Sequence, residues 1–329
     1  MTKILVTGAS GFIGSHVVAA LSEAGENVRA LYRNNEPVAS LKALPGVEWM
    51  RCDLLDVYDV EDALKGIDAI IHCAATVSFD AGDAEAILHN NSETTANVVN
   101  EALVQNISRF IHVSSVAALG RTKLGKPITE AEEWEDSKAN SVYARSKRAA
   151  ELEVWRGAGE GLSAAMVNPG IVLGEPYNPT GWNSGSAALF RTVDKEFPFY
   201  TEGVNAWVDV KDVAKAILLL LKSDIQDERF ILSGGNWSYR EVFTQMAQAL
   251  GRKPPHISAN PFLTGLVWRW NALRKIAGKR PTVTKETART AQQQVFYEAS
   301  KFPNAFPDFR YTPLEETIRR SAAAYKQHA

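Results

Sequence analysis

A glycine-rich turn near the start of the chain constrains the fold more than any other feature. Residues 7–16 read TGASGFIGSH and place Gly8, Gly11 and Gly14 at three-residue spacing, between the apolar run KILVTGA and a helical pattern over residues 13–24. Glycines here allow a tight turn, close approach of the backbone to a pyrophosphate, and close packing of helix on strand. The first N–H groups of the helix can bind phosphate oxygens. The turn therefore predicts a dinucleotide site, and a turn without a ligand is the alternative.

Strand and helix patterns alternate through the first half of the chain. Short apolar runs predict strands over residues 3–9, 27–33, 47–53, 68–75, 109–115 and 163–172. Helical periodicity separates several of them, most clearly over residues 84–105. Such alternation is typical of a parallel sheet with helices on both faces. We therefore predict an α/β, doubly wound parallel sheet, that is, a Rossmann fold.

The pattern changes after the sixth predicted strand. Residues 174–186 are rich in Gly, Pro and Asn, as loops are. Residues 207–222 predict a strand end and an apolar helix, and residues 229–235 a further strand. SYRE at 238–241 is a capping box that opens a helix, and TPLEE at 312–316 predicts the last helix, with Thr312 as its cap.

These patterns predict two parts of unequal size. We expect a nucleotide-binding domain over residues 1–175, to which residues 205–235 return. Residues 176–204 and 236–329 are expected to form a smaller, mostly helical, substrate-binding part.

Composition excludes several classes of function. The net charge is −2 and no long basic run occurs, which argues against a nucleic-acid partner. No stretch reaches the ~20 apolar residues of a membrane span, and the first apolar run is too short for a signal peptide. Cys52 and Cys73 lie in apolar strand-like runs, without metal-ligand spacing, so we expect buried free thiols. We expect a cytoplasmic protein without a metal site or an integral membrane segment.

The segment YARSK places Tyr143 one helical turn before Lys147. Taken alone, such a pair is either chemistry or an ordinary solvated helix face. The rest of the sequence decides between them, because further motifs occur in a recognisable order.

The spacing G-x-x-G-x-x-G resembles the extended branch of the short-chain dehydrogenase/reductase superfamily. Motifs similar to those of the branch follow in order at residues 72–75 (HCAA), 90–99 (NNSETTANVV), 113–120 (VSSVAALG), 143–147 (YARSK), 168–170 (NPG) and 208–214 (VDVKDVA). The last motif and residues 297–318 resemble dihydroflavonol reductases and their bacterial relatives. Thr94 departs from the pattern, where the family usually has glycine.

The resemblance implies a site at the carboxyl end of the sheet. Its catalytic residues would be Ser115, Tyr143 and Lys147. Its cofactor contacts would be Gly8, Ser10, Gly11, Phe12, Ile13, Gly14, Arg33, Asp53, Leu54, Ala74, Ala75, Tyr143, Lys147, Pro169, Gly170 and Ile171.

The end of the second strand indicates which dinucleotide binds. Arg33 stands there and no carboxylate precedes Glu36. A carboxylate would accept from the ribose 2′-hydroxyl of NAD, whereas arginine suits the 2′-phosphate of NADP. We therefore expect NADP (NADPH) rather than NAD, with Lys42 as an assistant; an exposed strand-end arginine is the alternative.

The resemblance implies proton and hydride transfer at one carbon. Tyr143 would protonate a carbonyl oxygen as general acid. We expect the charge of Lys147 to lower the pKa of that phenol, and Lys147 also to hold the nicotinamide ribose. Ser115 would donate a hydrogen bond to the substrate oxygen.

The substrate pocket is indicated only by composition. Residues 174–186 and 261–281 are candidates for its wall, and an apolar, aromatic lining is suggested by Trp182, Phe190, Trp207, Phe262 and Trp268. Ordinary helix packing and peripheral membrane contact are the other interpretations of 261–281. Gly120 stands about where plant dihydroflavonol reductases have a substrate-contacting Asn, which argues against a flavonoid substrate.

Three functions remain open. The first is an NADP-dependent reductase acting on an aldehyde or ketone of a largely apolar small molecule. The second is a nucleotide-sugar epimerase or dehydratase with bound NAD, and Arg33 argues against it. The third is a non-enzymatic dinucleotide sensor, against which Ser115, Tyr143 and Lys147 argue together. A homodimer is a candidate assembly.

Overall fold

The centre of the molecule is a parallel β-sheet. A computed structural model describes residues 2–76, 84–120, 126–137, 140–259 and 291–328. Its strands are β1 (Lys3–Thr7), β2 (Asn27–Tyr32), β3 (Val47–Arg51), β4 (Ala69–His72), β5 (Arg109–Val113), β6 (Ala164–Pro169), β7 (Ile171–Leu173), β8 (Phe199–Tyr200), β9 (Val204–Asp209), β10 (Glu228–Leu232), β11 (Gly235–Ser238) and β12 (Ile257–Ser258). Seven of them pair in parallel in the order β10-β6-β5-β4-β1-β2-β3.

Helices cover both faces of this sheet. They are α1 (Phe12–Glu23), α2 (Ala39–Lys42), α3 (Val57–Leu64), α4 (Ala84–Val104), α5 (Val142–Gly159), α6 (Ala188–Asp194), α7 (Val210–Leu221), α8 (Tyr239–Leu250), α9 (Lys301–Ala305) and α10 (Leu314–His328). Val17 of α1 and Ile217 of α7 belong to the core on one face. Val98 of α4 and Val154 of α5 belong to the core on the other. The predicted doubly wound fold is confirmed.

The strand order creates the place where a ligand can bind. β1 lies between β2 and β4, so the chain winds outward from β1 in one direction and then, through β4, in the other. At such a reversal the loops leaving the carboxyl ends of adjacent strands part and leave a crevice. The glycine turn follows β1 at this point.

Two predicted strands are interrupted in the structure. The strand expected over residues 163–172 divides at Gly170 into β6, which joins the main sheet, and β7, which pairs with β9. A Cβ at Gly170 would lie 2.5 Å from the carbonyl oxygen of Ala206, so glycine permits the approach of β9. The strand expected over residues 229–235 likewise ends as β10 at Leu232, and β11 begins at Gly235. The result is a second sheet of three strands, β11-β9-β7.

Three of the five aromatic residues expected at the pocket wall are core residues in the structure. Trp182, Phe190 and Trp207 have exposed fractions of 4%, 0% and 0% and share one apolar cluster with α8 and α10. The rings of Trp182 and Tyr325 meet edge to face at 5.3 Å. Packing of the C-terminal part therefore accounts for these rings. Phe262, Trp268 and the rest of residues 261–281 lie outside the described residues.

The last helix begins where TPLEE predicts, but Thr312 does not act as expected. Its hydroxyl donates to Asp212 at 2.9 Å, and its N–H donates to the same carboxylate at 2.6 Å. Thr312 therefore ties the start of α10 to α7.

Both cysteines are free. Cys52 is buried, as predicted, whereas Cys73 is only half-buried at the end of β4. Burial raises the pKa of each thiol to about 12. Within the described ranges, none of the helices combines the length and apolarity that a membrane crossing needs.

A buried ionic network fastens α10 to the three-stranded sheet, at the end of β9. Asp209 has no exposed side-chain surface and accepts from Arg320 and from Thr317, both at 2.6 Å. Its other oxygen caps α7 by accepting from the N–H of Lys211. Arg320 also binds both oxygens of Glu175, at 3.1 and 2.9 Å. Asp209 therefore combines the cap of α7 with an ion pair to α10.

Asp209→Ala should lower the free energy of unfolding by about 2–4 kcal/mol, because it removes a cap and leaves Arg320 with one fewer partner. Asp56→Ala is the matched control: Asp56 caps α3 through the N–H groups of Tyr58 and Asp59. It should cost about 1 kcal/mol, the value of a cap alone. Urea denaturation measures both, and equal losses would contradict the structural importance of the network.

Candidate active site

The glycine turn is packed directly against the end of β4. Gly8 has φ of 61°, in the left-handed region, and a Cβ there would lie 2.8 Å from the backbone N of Ala74. Gly11 N–H donates to the Gly8 carbonyl at 2.9 Å. A Cβ at Gly14 would lie 2.2 Å from that same oxygen. Side chains are therefore excluded from the turn, and its backbone is open to a ligand.

The start of α1 has spare hydrogen-bond donors. Gly11 caps the helix without a side-chain acceptor. Side chains do cap four other helices, namely α3, α5, α7 and α8. The N–H groups at Phe12 and Ile13 belong to the first turn of α1, where no intrahelical acceptor exists. Beside an exposed Gly11 and a half-buried Ser10, this end of α1 fits a pyrophosphate.

The ends of β2 and β3 form the far side of the crevice. Arg33 is exposed, and its carbonyl accepts from Arg51 at 3.3 Å. Lys42, expected to assist Arg33, lies 2.7 Å from the carboxylate of Glu36 instead. This ion pair is fully exposed, so it is weak and leaves Lys42 able to move.

Asp53 and Leu54 are both held in place by their neighbours. Asp53 accepts from the N–H of Leu55 at 3.2 Å, and its own N–H donates to Asp59. The Leu54 carbonyl accepts from Asn97 of α4 at 3.0 Å. The turn after β3 is therefore fixed beside the crevice.

The structure brings Ser115, Tyr143 and Lys147 together. Ser115 follows β5 and hydrogen-bonds to the phenol of Tyr143. Ser141 caps α5 and so fixes the first turn, which carries Tyr143. Lys147, one turn later, is buried and donates to the Val113 carbonyl at 3.1 Å. Ser115 and Tyr143 are thus in direct contact, and Lys147 lies one helical turn from Tyr143 with its ammonium on the Val113 carbonyl.

Burial determines the protonation behaviour of the group. It raises the pKa of Tyr143, and the hydrogen bond from Ser115 opposes this only in part. Burial also lowers the pKa of Lys147 to about 8, opposed by Cys73 and Glu151. The pKa of Tyr143 is therefore raised overall, because desolvation of the phenol outweighs the influences that favour phenolate, and the lowering influence of Lys147 on this pKa stays a prediction. The ammonium is directed to the Val113 carbonyl.

Sequence reasoning assigned no role to two histidines near Lys147, namely His72 and His112. His72 on β4 contacts the hydroxyls of Thr7 and Thr95, and its ring stacks on His112 of β5 at 5.4 Å. Burial lowers the pKa of His72 to about 3 and the pKa of His112 well below its ordinary value. Both rings are therefore neutral and add no positive charge beside Lys147. The only signal in the sequence is a histidine at the same register in two neighbouring strands.

Asn91 was quoted within a motif but not assigned a place. Its side chain both accepts from and donates to the backbone of Thr76, at 2.6 and 3.0 Å, and donates to Ser146 at 3.1 Å. It thereby joins α4 and α5 to the segment that contains Ala74 and Ala75. The N–H of Ala74 is held in addition by Thr7 at 3.1 Å.

Two further segments border the site. The N–H of Gly170, between Pro169 and Ile171, donates to Leu232 at 3.0 Å and holds the end of β6 beside β10. At Gly120, a Cβ would lie 1.9 Å from the carbonyl oxygen of Glu133. No side chain fits at Gly120 without a backbone shift.

The comparison with known families agrees with this geometry. Residues 4–232 match the model of the NAD dependent epimerase/dehydratase family. The chain belongs to this family. It is an NAD(P)-dependent oxidoreductase of the extended short-chain dehydrogenase/reductase type, as the order of motifs predicted.

Two relatives are similar over most of their length. A protein of Synechocystis sp. named putative dihydroflavonol 4-reductase is 30% identical over 303 residues, covering 90% of this chain and 87% of the relative. Sterol demethylase protein B of Methylococcus capsulatus is 30% identical over 265 residues, covering 79% and 78%.

Among solved structures, the UDP-glucose 4-epimerase of Thermus thermophilus in complex with NAD superposes with a TM-score of 0.77. It covers 99% of both chains at 23% identity, so it shows the fold alone. This likeness therefore concerns the framework of sheet and helices.

Gly14→Ala should weaken NADPH binding at least about 10-fold and destabilise the protein by about 1–3 kcal/mol, because the added methyl would collide with the Gly8 carbonyl. Gly159→Ala is the matched control in another helix, where a Cβ would meet nothing within 4 Å. That variant should bind NADPH normally and gain up to about 1 kcal/mol. Fluorescence titration and urea denaturation measure both effects. Unchanged NADPH affinity in Gly14→Ala would contradict a cofactor site at the turn.

Proposed function

We propose that this family member is an NADPH-dependent reductase of an aldehyde or ketone group on a largely apolar small molecule. The observation that carries the proposal is the hydrogen bond between Ser115 and Tyr143 beside the buried Lys147. This arrangement supplies a proton and a hydrogen-bond donor to one oxygen atom. Residues 176–204 and 236–329 are proposed to bind the rest of the substrate.

The chain's own residues would hold the cofactor at both ends of the crevice. The glycine turn and the start of α1 would bind the pyrophosphate, with Gly8, Gly11 and Gly14 giving access. Arg33 would bind the 2′-phosphate, and Lys147 would contact the nicotinamide ribose. Bound NADPH supplies the hydride that the carbonyl carbon accepts.

Tyr143 would give its proton to the carbonyl oxygen as negative charge develops there. Because burial raises the pKa of this phenol, the protonated form required for reduction is maintained at neutral pH. Ser115 would donate to the same oxygen and fix its position. The ammonium of Lys147 would then stabilise the phenolate left behind. The reverse reaction requires phenolate at the start, so its rate should rise with pH.

NADP preference rests on Arg33. A guanidinium grips a phosphate with two parallel hydrogen bonds, which a ribose hydroxyl does not offer. In the described part of the structure, Arg33 is exposed at the end of β2, and no carboxylate lies between it and Glu36 in the sequence.

Arg33→Asp should weaken NADPH binding about 10–100-fold and NADH binding far less, because it replaces the phosphate-binding group with a repelling one. Titration of protein fluorescence with each dinucleotide measures this. Arg240→Asp, on the surface of the C-terminal part beside Glu202, is the charge-matched control and should change neither affinity. Equal losses for NADPH and NADH in Arg33→Asp would refute its role in selecting the cofactor.

The name of one relative supports the apolar substrate class. This relative is named as a sterol demethylase protein, and a sterol is a large apolar molecule. Gly120 argues separately against a flavonoid contact of the plant type, because the Glu133 carbonyl leaves no room for an Asn side chain there. The epimerase alternative is carried by the likeness in fold to a UDP-glucose 4-epimerase.

The purified protein should oxidise NADPH in the presence of large apolar aldehydes or ketones, with higher kcat/KM than for short polar ones. A panel of such carbonyl compounds and of nucleotide sugars distinguishes a reductase from an epimerase. The measurement is the loss of NADPH absorbance with each compound. Conversion of nucleotide sugars alone, without net change in cofactor oxidation state, would establish the epimerase instead.

Tyr143→Phe should lower the reductase kcat by about 10²–10⁴-fold while NADPH still binds, because it removes only the acidic oxygen. Lys147→Met should lower kcat and also weaken NADPH binding, and it should move the pH dependence of alcohol oxidation upward. Tyr325→Phe, which removes a hydroxyl from another buried tyrosine, is the control and should keep normal turnover. Near-normal reduction by Tyr143→Phe would disprove the mechanism.

A further inference from the structure

A buried carboxylate lies one helical turn behind the catalytic lysine. Glu151 follows Lys147 by four residues on α5, and its side chain has no exposed surface. Such a carboxylate is costly to bury unless it is paired and hydrogen-bonded. The reaction described above does not use it, so its partners show what it does.

Asn168 on β6 is the first partner. Its Nδ2 donates to Glu151 at 2.6 Å and to the backbone carbonyl of Ser115 at 3.0 Å. Both contacts are acceptors, so the amide is oriented with its NH2 group toward them, and the two hydrogens are both used. Glu151 therefore fixes the side chain that holds the backbone of Ser115.

Arg229 on β10 is the second partner and balances the charge. It lies 3.3 Å from Glu151, and its Nε and Nη2 also donate to the Glu130 carbonyl at 2.9 and 2.7 Å. A third donation reaches the Glu132 carbonyl at 3.2 Å. Arg148, on α5, is 3.5 Å from the same carboxylate. The carboxylate thus connects α5, β6, β10 and the segment around Glu130.

We propose that Glu151 and Asn168 are positioning residues of the active site: Asn168 holds the backbone of Ser115, and Glu151 orients Asn168 and places a carboxylate one helical turn from Lys147. The proposal rests on the proposed reductase function. Neither side chain touches the reacting atoms. They act through Ser115 and Lys147.

The groups around Lys147 show why the influence of Glu151 on this lysine is distinct. Cys73 and His72 face it from β4, His112 from β5, and Tyr143 and Glu151 lie on its own helix. His72 and His112 are neutral, and burial raises the pKa values of Cys73 and Tyr143, so both remain protonated at neutral pH. Among the described residues that influence the pKa of Lys147, Glu151 is the carboxylate, and it opposes the effect of burial.

Asn168→Ala tests the link to Ser115 without changing charge. It should lower the reductase kcat about 10–100-fold, because Ser115 loses its anchor, while the KM and the NADPH affinity stay within about 3-fold. Activity is expressed per NADPH-binding site, so unfolded protein does not contribute. Wild-type kcat per site in Asn168→Ala would overturn this half of the proposal.

Glu151→Gln tests the link to Lys147. It should lower the pKa of Lys147 by roughly one unit, because a nearby opposite charge is removed. NMR titration of protein with 13Cε-labelled lysine measures this, with the signal assigned by its loss in Lys147→Met. Glu153→Gln is the matched control: Glu153 lies on the same helix, pairs with Arg156 and is partly exposed. It should leave the pKa of Lys147 and turnover unchanged.

The two readouts separate the proposals. The NMR titration needs no substrate, so it holds or fails even if the protein is not a reductase. If Glu151→Gln does not fold, Asn168→Ala with its NADPH-normalised kcat decides. A merely structural role predicts lower stability in both variants with an unchanged pKa of Lys147 and unchanged kcat per site, and that outcome would overturn the proposal.

Discussion

The turn after β1 lies so close to the end of β4 that a methyl group at Gly8 would overlap the backbone of Ala74. This steric constraint organises the site in several ways at once. It exposes the backbone N–H groups at the start of α1, and it places them beside β4 at the strand-order reversal. The hydroxyl of Thr7 accepts from the N–H of Ala74 and contacts the ring of His72. The close packing of β1 on β4 therefore also fixes the position of His72. The contact between Gly8 and the backbone of Ala74 therefore lies at the base of both the expected cofactor crevice and the expected catalytic centre.

Desolvation is the second organising influence. Tyr143 is half-buried and Lys147 is buried, and desolvation shifts the pKa of each toward its uncharged form. The neighbouring histidines are neutral for the same reason. A pKa of about 8 leaves Lys147 mostly protonated at neutral pH, so charge that develops during proton transfer would interact strongly with its ammonium. The burial that disfavours charge on Tyr143 also strengthens this interaction.

The sequence predicted the main sheet well because its strands are short apolar runs between turn residues. It predicted β6 and β10 as too long, since nothing local shows that Gly170 and Gly235 allow the chain to leave one sheet for another. It also placed Trp182 and its neighbours at a pocket, because aromatic residues in a core and at a ligand have the same composition.

Within the site, motif spacing predicted the residues but not their energetics. Tyr143 and Lys147 are one turn apart, which a sequence shows directly. The direction of the Tyr143 pKa depends on burial, which it does not show. Asn168 and Glu151 meet across 17 residues through a strand and a helix, so their contact depends on tertiary structure alone.

The absence of space at Gly120 has a consequence for how this protein can change over time. The volume that a side chain would occupy is filled by the main-chain oxygen of Glu133, which no substitution at residue 133 removes. A lineage acquiring a polar contact at this place would first have to move the segment around residue 133. A substitution at Gly120 alone should destabilise the protein, because the added side chain would collide with the main chain at residue 133. Two changes in a fixed order, first in the backbone near residue 133 and then at Gly120, are therefore needed before this position can carry a side chain.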